Sequence, residues 1–233
     1  MLKKNTLKFK DFLAIIPARK GSVSIKNKNL TKIRKKKLIE YTLVPLNKLK
    51  LAGKCVVSND LKLKNLAKKY KIDTNYKRPE KTSLNTSSLL QTLVHFKIYA
   101  DKYYQYKYFL ILQPTSPLRT YNEIYNSIKC VIKNNYSSLY SVSESFEHPY
   151  ETIYLKKNKV NYFLNEGKKY FRRQDYPKES FFINGSIFIT NKKNIENKKL
   201  FNFKNHGIYF TSKISSFDLN DYEDLKIIKK IIS

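Results

Sequence analysis

Residues Tyr108–Arg119, YFLILQPTSPLR, divide sharply at Gln113. Tyr108–Leu112 is an unbroken apolar run, too short for a helix and closed by a proline-rich polar turn. Such a run reads as a strand buried on both faces, as in a parallel sheet covered by helices on each side. Working outward, Phe12–Pro17 (FLAIIP) and Cys55–Ser58 (CVVS) have the same character upstream, and Leu139–Val142 and Phe181–Thr190 have it downstream. Between them, apolar residues recur at three- and four-residue steps over Leu38–Leu49, Leu61–Tyr70, Ser87–Ala100, Tyr121–Ile132 and finally Asp221–Ile232. Ile72–Asn75 is short and compatible with a further strand. This alternation predicts an α/β fold with a mostly parallel central sheet flanked by helices.

The rhythm changes between Glu144 and Ser180. Glu151–Leu155 and Val160–Leu164 read as a hairpin around a Lys-Asn-Lys turn, and Lys168–Lys178 is charged and irregular. Residues 1–233 therefore read as one domain with an inserted excursion at about 144–180, and no internal repeat is visible.

The chain carries 47 Lys and Arg against 18 Asp and Glu, a formal net charge of +29. That excess invites a nucleic-acid reading. Its make-up argues against one, because only six of the 47 are Arg and nucleic-acid surfaces rely on Arg forks. The 22 Asn, five Ala, five Gly and no Trp point instead to a composition bias toward AT-rich codons. The charge is also uneven: residues 1–50 hold 15 basic and 2 acidic residues, whereas 101–150 hold 5 and 4. Lysine runs at 34–37 and 192–193 read as solvated faces or turns.

Cys55 and Cys130 offer neither a disulfide framework nor a metal spacing, so a cytoplasmic location is expected. The apolar run Phe12–Ile16 ends at Pro17, short of the roughly 7–15 residues of a secretory core. No stretch approaches the ~20 apolar residues of a membrane span. A soluble protein without a membrane partner is expected.

In open parallel sheets, ligands bind beyond the carboxyl ends of the strands, near the topological switch. Three polar segments follow strand-like runs. Ala18–Asn29 (ARKGSVSIKNKN) combines small residues with Arg and Lys, which suits an anion but also an ordinary basic loop. Gln113–Arg119 holds two prolines that would fix Gln113 for a base edge, or simply turn the chain from strand to helix. Asp218-Leu219-Asn220-Asp221 would aim residues 218 and 220 to one side, as a Mg2+ grip requires, or would cap the last helix.

Together, these segments resemble the acylneuraminate cytidylyltransferase (CMP-N-acetylneuraminic acid synthetase) family. The family opens with an IIPARGGSKGIPxKN-type loop, here Ile15–Asn29, and has a strand ending in STD, here Ser58-Asn59-Asp60. An RPxxLxxD segment falls at Arg78–Asn85, and QPTSPLR is intact at Gln113–Arg119. HPY (His148–Tyr150), RRQDxP (Arg172–Pro177), NGxI (Asn184–Ile187) and DIDxxxDL (Asp218–Leu225) complete the pattern, from about residue 12 to 228.

The resemblance implies a Rossmann-like nucleotidyltransferase fold and transfer of CMP from CTP to the anomeric hydroxyl of a sialic-acid-like α-keto sugar acid, with pyrophosphate released. It places Arg19 and Lys28 at the triphosphate and Asn29, Arg78, Ser88 and Gln113 around cytidine, with Ser22 also substrate-binding. It puts Asp218 and Asn220 at a Mg2+ ion and Arg173 and Gln174 at the sugar, with Asn184 also substrate-binding. It also makes the 144–180 excursion a dimerisation arm, so a homodimer is expected. The alternative is a catalytically weak homologue that binds nucleotide or a partner subunit.

The departures are specific. Val23-Ser24 stands where the family loop has Lys-Gly, and Asn85 and Asn220 replace two carboxylates. Phe181-Phe182 occupies the stretch where sialic acid enzymes often place an Arg, leaving the choice of sugar acid open.

Overall fold

The computed structural model describes residues 7–22 and 24–232; Val23, one of the departures above, lies outside the described residues. Strand β1 (Phe12–Pro17) is followed by the loop 18–31, then a two-stranded ribbon, β2 (Lys32–Ile33) and β3 (Lys36–Lys37). The 34–37 basic run thus supplies the ribbon's turn and its second strand, with Arg34 at φ 52°. Helix α1 (Glu40–Asn47) leads to β4 (Gly53–Val57), α2 (Leu61–Lys68) and α3 (Leu89–Tyr103). Then come β5 (Tyr108–Leu112), α4 (Tyr121–Asn134) and β6 (Ser138–Glu144). The excursion carries the hairpin β7 (Ile153–Lys156) and β8 (Lys159–Tyr162). The chain returns as β9 (Phe181–Asn191) and finishes with α5 (Lys192–Glu196), β10 (His206–Phe210) and α6 (Tyr222–Ile231).

The main sheet has the order β10-β6-β9-β5-β1-β4. Its pairings are parallel except for β9, which runs antiparallel between β5 and β6. The direction of β9 follows from the excursion: the chain leaves the sheet where β6 ends and re-enters at that same end. Ile72–Asn75, read as a possible strand, contributes only the single bridge from Asp73 to Cys55.

The core has two layers because β1 alternates. Phe12, Ala14 and Ile16 face α1, α2 and α4, whereas Leu13 and Ile15 face α3 and α5. Ile15 sits between Cys55 of β4 and Ile111 of β5, and all three are fully buried. Each of the two isoleucines contributes about 1.5–3 kcal/mol when taken from water. A third cluster joins Ile25, Ile33 and Leu38 to Leu219, Leu225 and Ile228, clamping the loop after β1 against the C-terminal segment.

Side chains fix where the helices start. Asp60 accepts from the Lys62 and Leu63 amides, and Ser88 and Thr120 form reciprocal capping boxes with Gln91 and Glu123. Asp221 caps α6, so one bland reading of Asp218–Asp221 holds for its last residue.

His206 at the sheet edge stands among Tyr140, Phe201 and Phe203, with ring centroids 4.2, 5.3 and 5.4 Å away. Its Nδ1 shares a 2.7 Å hydrogen bond with Ser138 Oγ, while Nε2 is buried without a partner. Burial holds its pKa below the usual imidazole value. The unfolded chain therefore takes up a proton first, and stability present above about pH 6.5 falls as the pH drops through that value. Urea midpoints should decline between pH 7 and pH 5, and less steeply in His206→Gln; equal slopes would mean this ring does not set the acid sensitivity.

Candidate active site

The connection after β1 passes to β4 on one side, and that after β5 passes toward β6 on the other, so the topological switch lies between β1 and β5. A cleft of about 280 Å³ opens there, lined by Arg19, Ser22, Lys28, Asn29 and Gln113 among others. Five residues singled out in the sequence thus meet at one place.

Local geometry explains how the loop is held. Gly21 has φ 79°, a left-handed turn that favours glycine. Arg19 Nη1 donates to the Gly21 carbonyl at 2.7 Å and to Asn85 Oδ1 at 2.5 Å. The Lys20 amide donates to Asn59 Oδ1 at 2.8 Å, tying the loop to the end of β4. Ile25 anchors the far side in the third apolar cluster.

Lys28 joins this loop to the C-terminal segment. Its ammonium donates to the carbonyls of Leu219 at 2.9 Å and Asn220 at 2.8 Å, and Ser24 Oγ donates to the same Asn220 carbonyl. Burial lowers the Lys28 pKa, while Asp218, Asp224 and Asp221 act in the opposite direction. The segment is also pinned to the β5 turn: the Leu219 amide donates to the Thr115 carbonyl at 2.7 Å, and Ser116 Oγ donates to Asp218 Oδ1 at 3.3 Å.

Arg78 is partly buried. It donates to the carbonyls of Thr82 and Val57 and to Thr92 Oγ1. Four of its bonds are internal, which leaves one of a guanidinium's five N–H groups for a ligand. Desolvation, opposed by nearby Tyr76, and repulsion from Arg19 set its pKa lower than usual. Ser88 is tied into the cap of α3, its hydroxyl accepting from the Gln91 amide at 3.1 Å.

The side chain of Asn184 is held by protein partners. Its Oδ1 accepts from Ser141 Oγ at 2.6 Å and the Ser186 amide at 3.1 Å, and its Nδ2 donates to Thr211 Oγ1 at 2.7 Å. It is buried and is not among the residues that line the cleft. Its neighbour Gly185, at φ 70°, lets β9 approach Gln113: a Cβ there would sit 3.5 Å from Nε2.

Arg173 and Gln174 are not brought to this cleft. They lie on a short 3-10 helix in the excursion, where Arg173 Nη2 donates to the Phe146 carbonyl and to Glu147 Oε2, each at 2.7 Å. Arg173 instead lines a separate cleft of about 330 Å³ with Glu144, His148, Tyr176 and Lys178. The physical reason is that the excursion leaves the sheet and folds on its own turns.

Two residues that the sequence showed only as members of motifs have structural roles here. Asn85 holds Arg19, and Arg119 is a buried keystone whose guanidinium binds the carbonyls of Gln113 and Ser186 and the hydroxyl of Thr42. A signal for Arg119 existed: where nearly every cation is Lys, an Arg closing the intact QPTSPLR motif stands out.

No group of three or more His, Cys, Asp or Glu among the described residues could hold a metal. A Mg2+ ion carried on phosphates requires only one or two carboxylates, and Asp218, half-buried beside Ser116, is such a donor. The residues thus fit a metal delivered by a nucleotide, not one caged by protein.

A mostly parallel sheet with a cationic loop and a polar turn at its switch point is the arrangement expected of a nucleotidyltransferase. Residues 13–230 match the sequence model of the cytidylyltransferase family, and the chain belongs to that family. It is 30% identical over 220 residues to the N-acylneuraminate cytidylyltransferase of Escherichia coli, covering 92% of this chain and 50% of that protein. The chain therefore spans about half the length of that relative. It is 26% identical over 228 residues to the CMP-N,N'-diacetyllegionaminic acid synthase of Campylobacter jejuni, covering 96% of this chain and 95% of that one. In fold it is similar to a CMP:2-keto-3-deoxy-manno-octonic acid synthetase complexed with CTP, with TM-score 0.71 and 13% identity over 95% of this chain and 98% of the other.

Proposed function

We propose that the protein transfers CMP from CTP to the anomeric hydroxyl of a sialic-acid-like nonulosonic acid, releasing pyrophosphate, with Mg2+ as cofactor. The observation that carries this reading is the cleft between the ends of β1 and β5, where Arg19, Ser22, Lys28, Asn29 and Gln113 converge. Arg19 and Lys28 suit a triphosphate by charge, and Gln113 suits a base edge by its paired donor and acceptor. The names of the relatives set the substrate class, and Phe181-Phe182 keeps the particular acid open.

In this reading the sugar's anomeric oxygen forms a bond to the α-phosphorus while the bond from that phosphorus to the bridging oxygen of pyrophosphate breaks. The electron pair leaves with pyrophosphate and the hydroxyl proton passes to solvent. Phosphoryl transfer of this kind depends on positioning and on neutralising charge. Arg19 and Lys28 hold the leaving phosphates, and Gln113, Asn29, Ser88 and the free N–H of Arg78 orient the nucleoside. Asp218 would hold Mg2+ on the phosphates, with the Asn220 amide as a weaker neutral donor, and the ion would lower the pKa of the attacking hydroxyl.

Arg173 and Gln174 would serve the sugar carboxylate of a neighbouring copy. The arm presents Phe171, Leu155 and Phe163 at 93%, 69% and 64% exposure, apolar surface that a homodimer would cover. The reading includes a cytoplasmic location. Both cysteines are free, and no described helix is long and apolar enough to cross a membrane.

The test is pyrophosphate release from CTP and Mg2+ with a panel of N-acetylneuraminate, a legionaminate and an eight-carbon keto-deoxy acid. Release with a nine-carbon acid is expected. Stabilisation by CTP without release from any acid would favour the weak-homologue alternative. Asp218→Ala should lower turnover about a hundredfold and raise the Mg2+ concentration needed for half-maximal rate. Unchanged turnover would remove Asp218 from the metal.

A further inference from the structure

Arg19 reaches across 66 residues of sequence to Asn85, its Nη1 lying 2.5 Å from Oδ1. The segment carrying Asn85 is closed at both ends. Thr82 Oγ1 and Ser83 Oγ both donate to the Pro79 carbonyl, at 2.8 and 3.2 Å, and Ser87 Oγ donates to the Lys81 carbonyl at 2.8 Å. Arg78 grips the same turn through the Thr82 carbonyl. Asn85 is thus presented by a fixed loop, although its own side chain is exposed.

The acceptor is neutral. The ion pairs among the described residues involve neither Arg19, Arg78 nor Lys28. Burial is the main cause that lowers the pKa of Arg78 and Lys28, and repulsion from nearby Arg19 adds to it for both. A carboxylate at residue 85 would relieve that repulsion and occupy the guanidinium fork that a phosphate would use. Asn220 likewise stands as an amide where the family pattern has an acid, so the two changes shift the site in the same direction.

We propose that Asn85 is the positioning residue for Arg19: it fixes the guanidinium at the mouth of the loop, and its neutrality leaves Arg19's charge available to the nucleotide's phosphates. The proposal rests on the nucleotide reading above. It also links the two ends of the nucleotide, because one hydrogen-bonded segment, Arg78–Asn85, carries both the nucleoside-side Arg78 and the tether of Arg19.

Equilibrium binding of CTP and of cytidine, with melting points of the free proteins, tests it in wild type, Asn85→Asp and Asn85→Ala. Asn85→Asp should weaken CTP about tenfold and leave cytidine unchanged, the size expected of one added charge a few ångströms from the phosphates near the protein surface. Asn85→Ala, which keeps Arg19's charge but frees its fork, should weaken CTP by less. Free-protein melting points should stay together. The proposal is overturned if Asn85→Asp changes CTP and cytidine by the same factor, or if Asn85→Ala costs more than Asn85→Asp. Wild type that binds no CTP at all overturns the nucleotide reading and this proposal together.

Discussion

Lys28→Ala should lower kcat/KM for CTP by about 10²- to 10³-fold, the loss typical of a preorganised group that stabilises developing charge. Lys26→Ala, two residues away on the exposed side of the same loop, should stay within about twofold of wild type, as exposed surface changes do. The contrast follows from what each ammonium touches. Lys28 already donates to two carbonyls, of Leu219 and Asn220, so it holds the Asp218 segment against the loop. Of its three N–H groups, one is left for a phosphate. Removing it therefore deletes a cation and unties the segment that carries Asp218. Lys28→Arg distinguishes these losses: a planar fork keeps the charge but cannot reproduce the ammonium's donor directions. Its KM for CTP should remain nearer to wild type than that of Lys28→Ala, while kcat falls in both. Equal losses for Lys26→Ala and Lys28→Ala would show that the loop presents the other face to the nucleotide.

The sheet was legible because burial on both faces leaves an unmixed apolar run. Tyr108–Leu112 matches β5 residue for residue, and Phe12–Pro17 matches β1. The edge was not legible. His206–Phe210 pairs on one side only, with β6, and lies in a Lys- and Asn-rich stretch whose local propensities are weak. Nor was the antiparallel direction of β9 visible, since direction depends on where the excursion returns the chain and not on which residues compose the strand. Within the site, the polar segments that carry Arg19, Ser22, Lys28, Asn29 and Gln113 stood out because they follow strands, and the family resemblance singled out those residues within them. The internal bonds of Asn184 and Arg78 were not legible, because whether a polar side chain faces ligand or scaffold is decided by partners distant in sequence: Thr211 for one, Val57 for the other. The charge excess is likewise clearer in three dimensions. Lys28 and Arg19 sit in the cleft, whereas Lys32 and Lys36–Lys37 form an exposed ribbon.

Arg119→Met should destabilise the fold by about 3 kcal/mol, one of the larger effects available to a single substitution in this chain. Arg119 is 3% exposed, and burial brings its pKa down to about 10, with Glu123 and Asp218 opposing the fall. Its Nη1 donates to the Ser186 carbonyl at 2.6 Å and to the Gln113 carbonyl at 3.1 Å, and its Nη2 donates to Thr42 Oγ1 at 2.6 Å. One side chain thus ties β9, the turn after β5 and helix α1 together. Methionine fills similar volume and relieves the cost of burying a charge, but it leaves those acceptors without a donor, at about 1–3 kcal/mol for each group left unpaired. The melting temperature should fall by about 6–12 °C, given roughly 2–4 °C per kcal/mol for a chain of this size. Arg119→Lys should recover only part of the loss, because one ammonium cannot span acceptors on three elements. Affinity for CTP should fall as well, since the carbonyl that Arg119 holds belongs to Gln113, whose side chain lines the cleft. A melting temperature within about 2 °C of wild type would mean that water replaces the guanidinium and that packing of Pro114 and Pro117 alone sets the turn.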